Sequence, residues 1–399
     1  MLTPAEAQTL IQRHLTCLPI ESLPLAQCSG AVLRENVYAE RDQPPFDRVT
    51  MDGFALDSRA WREGRRSFPI LDVQAAGDAP RKLATHEGCV EVMTGAVLPQ
   101  GCDCVVPFER AAASDGQASV QPDADVAPGR NVHRRASDGK QGDLLLKAGT
   151  VLRAPEIAVA ASAGMSRVRV SSQPAVMVVS TGNELIEPGE PILDHQVRRS
   201  NAYAVAAMLR QRGFSRVGDD HLPDDPPALR SRLRLHLDTH DVLIMSGGVS
   251  MGRYDYVPQV LAELGVTTVF HRIAQRPGKP MWFGVLESGQ AVFALPGNPV
   301  STLVCLVRYV MPALYEAMGL LSQRVERIAL AEPVELTAPL ASFVPVEVDY
   351  DEWARPWARP RALNTSGDFP TLAGSDGFVE LPCGPNTFPK GFVTRLYRW

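Results

Sequence analysis

Between Asp241 and Ser301 the chain makes three Gly- or Pro-rich turns, each beside an apolar, β-like run. Asp241-Val-Leu-Ile-Met245 turns through Ser246-Gly-Gly-Val-Ser250, and Arg276-Pro-Gly-Lys-Pro280 and Leu295-Pro-Gly-Asn-Pro299 follow. Such turns let backbone amides approach a ligand closely, because glycine tolerates conformations that other residues avoid. Their clustering predicts one anion-holding cleft at the strand ends of a parallel sheet. At Ser246, Gly247, Gly248 and Ser250 a strand runs into a glycine pair and then a helix, presenting free amides and a positive dipole end. A tight structural turn is the competing reading. Lys279, rigidly placed between Gly278 and Pro280, suits a compact charge contact to an oxyanion better than a solvated surface role.

The flanking sequence supports that sheet. Strands are expected over 175–180, 241–245, 266–270, 281–285 and 291–295, with helices over 200–212, 227–240 and 254–264. Pro299 should open a long helix with Asn298 as its cap. Alternation of this kind argues for an α/β sheet with helices on both faces. At 399 residues the chain is too long for one core. We expect a linker domain over 1–45 and 140–172, an inserted small β domain over 46–139, the α/β domain over 173–326 and a Pro-rich β domain over 327–399. Within the first segment, 23–26 and 31–37 are candidate strands, and 155–163 is a candidate helix.

Composition narrows the partners. A net charge of −5 without a long basic run disfavours nucleic acid, so a small anion must be held by local geometry. The seven cysteines are scattered, which fits a reduced, cytoplasmic chain. Cys102-x-Cys104 reads as core packing rather than a metal or redox pair. Thr3-Pro-Ala-Glu6 is a capping box, not the start of a signal peptide. The apolar stretch 300–320 contains Arg308, Glu316 and a proline, and reads as a buried helix, not a membrane span.

Several carboxylates fall in turns: Asp52, Asp138, Glu184, Asp224 and Asp255. Each alone reads as a cap or Asx-turn residue. Clustered around an anion they would repel it, unless a hard cation such as Mg²⁺ bridges them to the ligand. Thr94, between Met93 and Gly95, is a turn hydroxyl.

Thr50-Met-Asp-Gly-Phe-Ala55, Met93-Thr-Gly95, Ser180-Thr-Gly-Asn-Glu-Leu185, Ser246-Gly-Gly-Val-Ser250, Pro277-Gly-Lys-Pro280 and Leu295-Pro-Gly-Asn-Pro-Val-Ser301 together resemble the MoeA family of molybdopterin molybdenumtransferases, which includes the C-terminal part of gephyrin. Any one motif is weak, but all match in order and spacing over nearly the whole chain. The resemblance implies insertion of molybdate into the dithiolene of adenylylated molybdopterin, with release of AMP. It implies a multidomain α/β fold: a three-layer domain shared with the MogA and MoaB proteins, the inserted β domain as a lid, and a C-terminal β-barrel. It further implies an elongated homodimer, with a MogA-type adenylyltransferase or molybdoenzyme apoproteins as further partners.

Residue by residue, the resemblance maps the family's key acids and hydroxyls onto Asp52, Thr94, Asp138, Glu184, Asp224 and Asp255. Its loop lysine falls on Lys279 and its C-terminal serine on Ser366. Molybdate and pterin would then lie against Ser246, Gly247, Gly248, Ser250, Arg276, Gly278, Pro280, Asn298, Pro299, Ser301 and Ser366, with Mg²⁺ on Glu184 and Asp255. This chain departs from the family at Arg276 (usually lysine), at His133 (usually arginine) and at Ala136-Ser-Asp138 (usually Gly-Glu-Asp). Ala341-Ser-Phe-Val-Pro-Val-Glu347 stands where the family carries arginines, leaving Arg355, Arg359 and Arg361 as candidate substitutes. A non-catalytic cofactor-binding carrier or scaffold is the alternative function.

Overall fold

Successive side chains of the central strands are all buried and pack alternately into two cores, so a single sheet here has two apolar faces. Val176 and Val178, Val242 and Ile244, and Ala291, Phe293 and Leu295 belong to one core. Their neighbours Val179, Leu243, Met245, Val292 and Ala294 belong to another. A strand buried on both sides reads as a continuous apolar run, as 242–245 and 291–295 do. The computed structural model describes residues 1–248, 256–321, 325–336, 338–362 and 365–399.

The strand order is Val217–Leu222, Val176–Thr181, Val242–Ser246, Ala291–Leu295, Trp282–Val285, Thr267–His271. The first four are parallel and Trp282–Val285 is reversed. Helices Asn201–Gln211 and Pro299–Cys305 cover one face, and Pro226–Thr239 and Val257–Glu263 the other. From Val176–Thr181 the chain goes first to one neighbouring strand and then to the other. The crevice at that reversal lies between the exits of Val176–Thr181 and Val242–Ser246.

The helix opened by Pro299 runs to Ala317. It passes through a π-helical turn at Leu306–Val310 and resumes as Met311–Ala317. Although long and apolar enough to cross a membrane, its strongest window is 83% buried inside the protein. It is apolar all round because it packs on the sheet and also against Phe343, Phe378 and Tyr397 of the C-terminal strands. Those strands close on themselves: Ala341–Tyr350, Pro356–Pro360, Glu326–Leu330, Val393–Arg398 and Gly377–Leu381 pair in turn, and the last returns to the first. The barrel's sheet gains one more strand, Gln275–Arg276, which pairs parallel with Ala341–Ser342. The chain therefore stitches its α/β sheet to the barrel at the turn that carries Lys279.

Toward the N-terminus, Thr3 caps Pro4–His14 with the expected box. The strand expected at 23–26 is instead Ile20–Pro24, because its partner Arg167–Ser171 ends there, and Leu25–Gln27 is a 3₁₀ turn. Of 31–37, only bridges at Val32 and Leu33 and the strand Val37–Tyr38 form. The helix expected at 155–163 is Ala154–Ser162. Residues 53–120 build a six-stranded sheet with apolar clusters on both sides. Its core holds Cys89 and Cys104, with Cys102 packed against it, all free thiols. Burial pushes Cys89 and Cys102 up to about 12, and Cys104 higher still, so none is a ready nucleophile.

Gly53 shows how closely the strands of this insert approach. A methyl group there would lie 2.0 Å from the Val106 carbonyl oxygen of the adjacent strand. Gly53→Ala is expected to weaken the insert by about 1–3 kcal/mol through overpacking. Amide exchange at residues 54–56 and 105–106 should quicken, while protection of the 176–181 strand stays as it was.

Candidate functional site

A cleft of about 790 Å³ opens where the α/β sheet meets the barrel. Arg276, Gly278, Lys279, Pro280, Asn298 and Ser301 line one side, and Arg361, Thr365 and Ser366 the other, with Glu332 and Glu335 at the barrel edge. The 276–280 turn is held at both ends. Ile273 N donates to Lys279 O at 2.9 Å and Met281 N to Gly278 O at 3.3 Å. Lys279 is exposed, and its ammonium makes no hydrogen bond or ion pair with a described residue. Arg276 is exposed on the same turn.

Asn298 stands at the N-cap position of the long helix, but its side chain makes no capping bond. It instead donates to Ser366 Oγ at 2.5 Å, while Val300 N donates to Ser366 O at 3.1 Å. Ser366 thus does the capping from the barrel, with its backbone carbonyl, and Asn298 serves as a strut across the cleft. Ser301, 3% exposed, lies one helical position further in.

A second group sits at the strand exits. Asn201 Nδ2 donates to Ser246 Oγ at 2.8 Å and to Gly297 O at 2.7 Å, tying this exit to the cleft wall. Gly247 and Gly248 have positive φ, and methyl groups there would fall 2.6 Å from Thr181 O and 2.7 Å from Thr181 Oγ1. Close packing on Thr181 requires both glycines, whatever the turn binds. Ser250 and Asp255 lie outside the described residues. Thr181 Oγ1 and Asn201 Oδ1 are buried here without a hydrogen-bond partner, an uncommon state for polar atoms. On the other side of Thr181, the Glu184 carboxylate folds against Gly182, and Asp224 N donates to Asn183 Oδ1 at 3.2 Å. Glu184 and Asp224 therefore share one corner. Beneath it, buried Arg199 ties Ser180, Glu187 and Asp219 together.

The remaining predicted residues belong to the insert and its neck. Asp52 Oδ1 accepts from Thr94 N at 2.6 Å and Thr94 Oγ1 at 2.7 Å. These bonds, the backbone N–H foremost, hold the Asp52 carboxyl below the usual aspartate range. Asp138 lies in the neck, 2.8 Å from His133 Nε2. Arg48 Nη2 is 3.1 Å from His133 Nδ1. A guanidinium only donates, so Nδ1 accepts and Nε2 carries the proton toward Asp138. Arg134–Asp47 and Arg135–Asp42 pairs brace the same neck. Among the described residues no group of three His, Cys, Asp or Glu is placed to hold a metal.

Of the three arginines offered as substitutes, Arg355 is paired with Asp351 and Arg359 with Asp349. Arg361, only 3.6 Å from Glu347, is the one that lines the cleft. Sequence reasoning missed Thr181, Asn201 and Gln275. Thr181 lies inside a motif already singled out; nothing in the local sequence marks the other two.

Because the pKa of Asp52 is depressed, its contact with Thr94 stabilises the fold above the ordinary aspartate range and is lost as pH falls through the folded value. Thr94→Ala deletes the hydroxyl bond and leaves the N–H. The Asp52 titration, followed by carboxyl carbon NMR, should move upward yet remain below the ordinary value.

Residues 2–164 match the family model described as the MoeA N-terminal region (domain I and II), and 177–316 match that of a probable molybdopterin binding domain. The chain is 39% identical over 400 residues to the molybdopterin molybdenumtransferase of Synechocystis sp., covering 100% of both. It is 29% identical to that of Staphylococcus aureus strain COL, over 98% of this chain and 94% of the relative. Among solved structures, the molybdopterin biosynthesis MoeA protein of Pyrococcus horikoshii superposes with a TM-score of 0.83 at 28% identity, covering 100% of this chain and 99% of that one.

Proposed function

The chain belongs to the molybdopterin molybdenumtransferase family, and we propose that it carries out that reaction: molybdate enters the dithiolene of adenylylated molybdopterin and AMP leaves. The observation that carries this reading is the cleft itself. An exposed ammonium without a described partner, Lys279, shares it with Arg276, Arg361, the hydroxyls of Ser301 and Ser366, and the N-terminal end of a long helix. A tetrahedral dianion needs that combination of point charge, hydroxyl donors and dipole. With a net charge of −5 the protein attracts no anion by bulk charge, so these local groups must supply the attraction.

The pterin is assigned to the strand-exit crevice, where Thr181 Oγ1 and Asn201 Oδ1 are buried and unsatisfied. A ring carrying N–H donors would satisfy both. Asn201 reaches from there to Gly297, between the cleft-lining Pro296 and Asn298, so the two substrates would meet across it. The dithiolene sulfurs are the nucleophiles, and the protein's share is position and charge.

Mg²⁺ is assigned to the Glu184 corner, with Asp224 beside it and Asp255 as a further ligand from outside the described residues. The donors fit, since Mg²⁺ takes one or two carboxylates and completes its shell with water and substrate phosphate. Bound there it would neutralise charge on the adenylate phosphate. Glu184 holds its place through the Gly182 turn, and Asn183 orients Asp224.

We also propose the division into 1–45 with 140–172, 46–139, 173–326 and 327–399. The separate apolar clusters, and the break between the two family models, support it. A homodimer in which Asp52 serves the partner's cleft completes the reading, with a MogA-type adenylyltransferase as supplier and molybdoenzyme apoproteins as recipients.

Incubating the protein with adenylylated molybdopterin, Mg²⁺ and molybdate should release AMP. Lys279→Ala should abolish that release with the fold intact, and excess chelator should do the same. A folded protein that binds molybdate and releases no AMP would mean a carrier instead. Mixing Asp52→Ala with Lys279→Ala under conditions of subunit exchange should restore about a quarter of wild-type activity. About half the dimers are then mixed, and each keeps one intact site of two. Exchange confirmed by mass without recovery would place Asp52 in its own chain's site or couple the two sites.

A further inference from the structure

The turn that carries Lys279 rests on a buried polar floor. Gln275 is 0% exposed, Cys305 0% and Tyr309 1%. The Tyr309 hydroxyl donates to Gln275 Oε1. That leaves Gln275 Nε2 free to donate to Pro277 O at 3.1 Å, with Cys305 Sγ at 3.6 Å. Cys305 Sγ in turn lies 3.7 Å from Gly278 O. A methyl group at Gly278 would strike both Gln275 Nε2, at 2.5 Å, and Cys305 Sγ, at 2.6 Å. The turn is therefore held from beneath through two consecutive carbonyls, immediately before Lys279.

Three residues of one helix build this arrangement. Ser301, Cys305 and Tyr309 recur at intervals of four, with Ser301 in the cleft and the others beneath the turn. The π-helical turn Leu306–Val310 contains Tyr309, and π-bulges of this kind are frequent at functional sites. Its neighbour Arg308 points elsewhere, to Glu380 at 3.0 Å and Gln8 at 2.7 Å, and so anchors the bulge to the barrel and the first helix. Burial pushes the Tyr309 phenol and the Cys305 thiol upward, so both stay protonated and the donor order of the network is fixed. An amide has one acceptor and one donor end. With Tyr309 donating to the first, the second must face the turn.

We propose that Tyr309, acting through Gln275, is a positioning residue that sets the register of the Arg276–Lys279 turn and thereby its affinity for the oxyanion. This rests on the cleft being the molybdate site. Neither side chain touches the anion. Tyr309→Phe removes the hydroxyl that orients the amide and leaves Gln275 Oε1 buried and unsatisfied. The amide is then fixed at its donor end alone, by Pro277 O and Cys305 Sγ, and its hold on the turn loosens.

Three measurements on the full-length protein test this. Molybdate binding by titration calorimetry should weaken roughly ten-fold in Tyr309→Phe, the size expected for one lost buried hydrogen bond. The KM for adenylylated molybdopterin should not change. Amide exchange at Gly278 and Lys279 should quicken while that of the 291–295 strand stays constant. The double variant Gln275→Met with Tyr309→Phe replaces both ends of their mutual bond by apolar groups of similar shape, so no orphaned Oε1 remains, while Pro277 O loses its donor. It should regain part of the lost thermal midpoint and not the molybdate affinity. If affinity returns together with stability, or if Tyr309→Phe leaves both molybdate affinity and turn exchange at wild-type values, the positioning role is wrong. A wild-type protein that binds no molybdate refutes the cleft assignment instead. In that event exchange at Gly278 and Lys279 still decides whether the floor holds the turn.

Discussion

The pairing of Gln275–Arg276 with Ala341–Ser342 couples everything else in the C-terminal two-thirds of this protein. The chain reaches Gln275 from the α/β sheet, yet its ladder bonds belong to the barrel. Both walls of the cleft are therefore hydrogen-bonded to each other at that point. Ser366 reinforces the constraint from the opposite direction, since a barrel carbonyl caps the helix that forms the other wall. Arg308 adds a third tie, buried between Glu380 and Gln8. A cleft between two domains ordinarily opens and closes. Here strand, cap and ion pair are distributed around it, and the geometry of its charges is set by the fold.

Much of this was legible in the sequence, for identifiable reasons. The strands and helices of 173–326 follow directly from period-two and period-3.6 patterning with Gly and Pro at their ends. Helix starts at Thr3 and Pro299 and the stop at Gly213 stand where capping chemistry puts them. The turn residues Arg276, Gly278, Lys279, Pro280, Asn298, Ser301 and Ser366 do converge on one cleft. What local sequence could not carry was partnership at long range. Asn298 reads as a cap, and it is a strut, because the acceptor that caps the helix-end N–H is the Ser366 carbonyl, far along the chain. Three arginines read alike at 355, 359 and 361; each has an acidic partner, and only the fold shows that Arg361 lines the cleft while Arg355 and Arg359 do not. Gln275 carries no sequence signal because its role depends on Tyr309, one bulged turn into a helix whose pattern reads as plain core.

The same distinction separates the acids. Asp52, Asp138, Glu184 and Asp224 look equivalent as turn carboxylates. The fold places Asp52 on Thr94 in the insert, Asp138 on His133 in the neck, and Glu184 and Asp224 together at the strand exits. The His133 substitution becomes intelligible there. Arg48 donates into Nδ1 and Nε2 donates to Asp138, so the imidazole bridges the guanidinium to the carboxylate by hydrogen bonds.

The thiol beneath the cleft raises a chemical question that the floor also answers. Molybdenum bound by a dithiolene is held by sulfur, and a protein thiolate nearby would compete for it, since soft donors and such metals attract one another. Cys305 is within reach of the Lys279 turn and would be the competitor. It is fully buried, its thiol is pushed far above the ordinary range, and its sulfur faces Gln275 Nε2 and Gly278 O. Serine at that position would be smaller and would form stronger hydrogen bonds to the same groups, tightening a floor whose spacing already leaves no room for a methyl group at Gly278. A protonated thiol fills the gap with a large, weakly bonding atom, which lets Gln275 and Tyr309 dictate the orientation of the turn. The polar floor works because its softest member is kept unreactive by burial, and the only sulfur nucleophiles the proposed reaction requires arrive with the substrate.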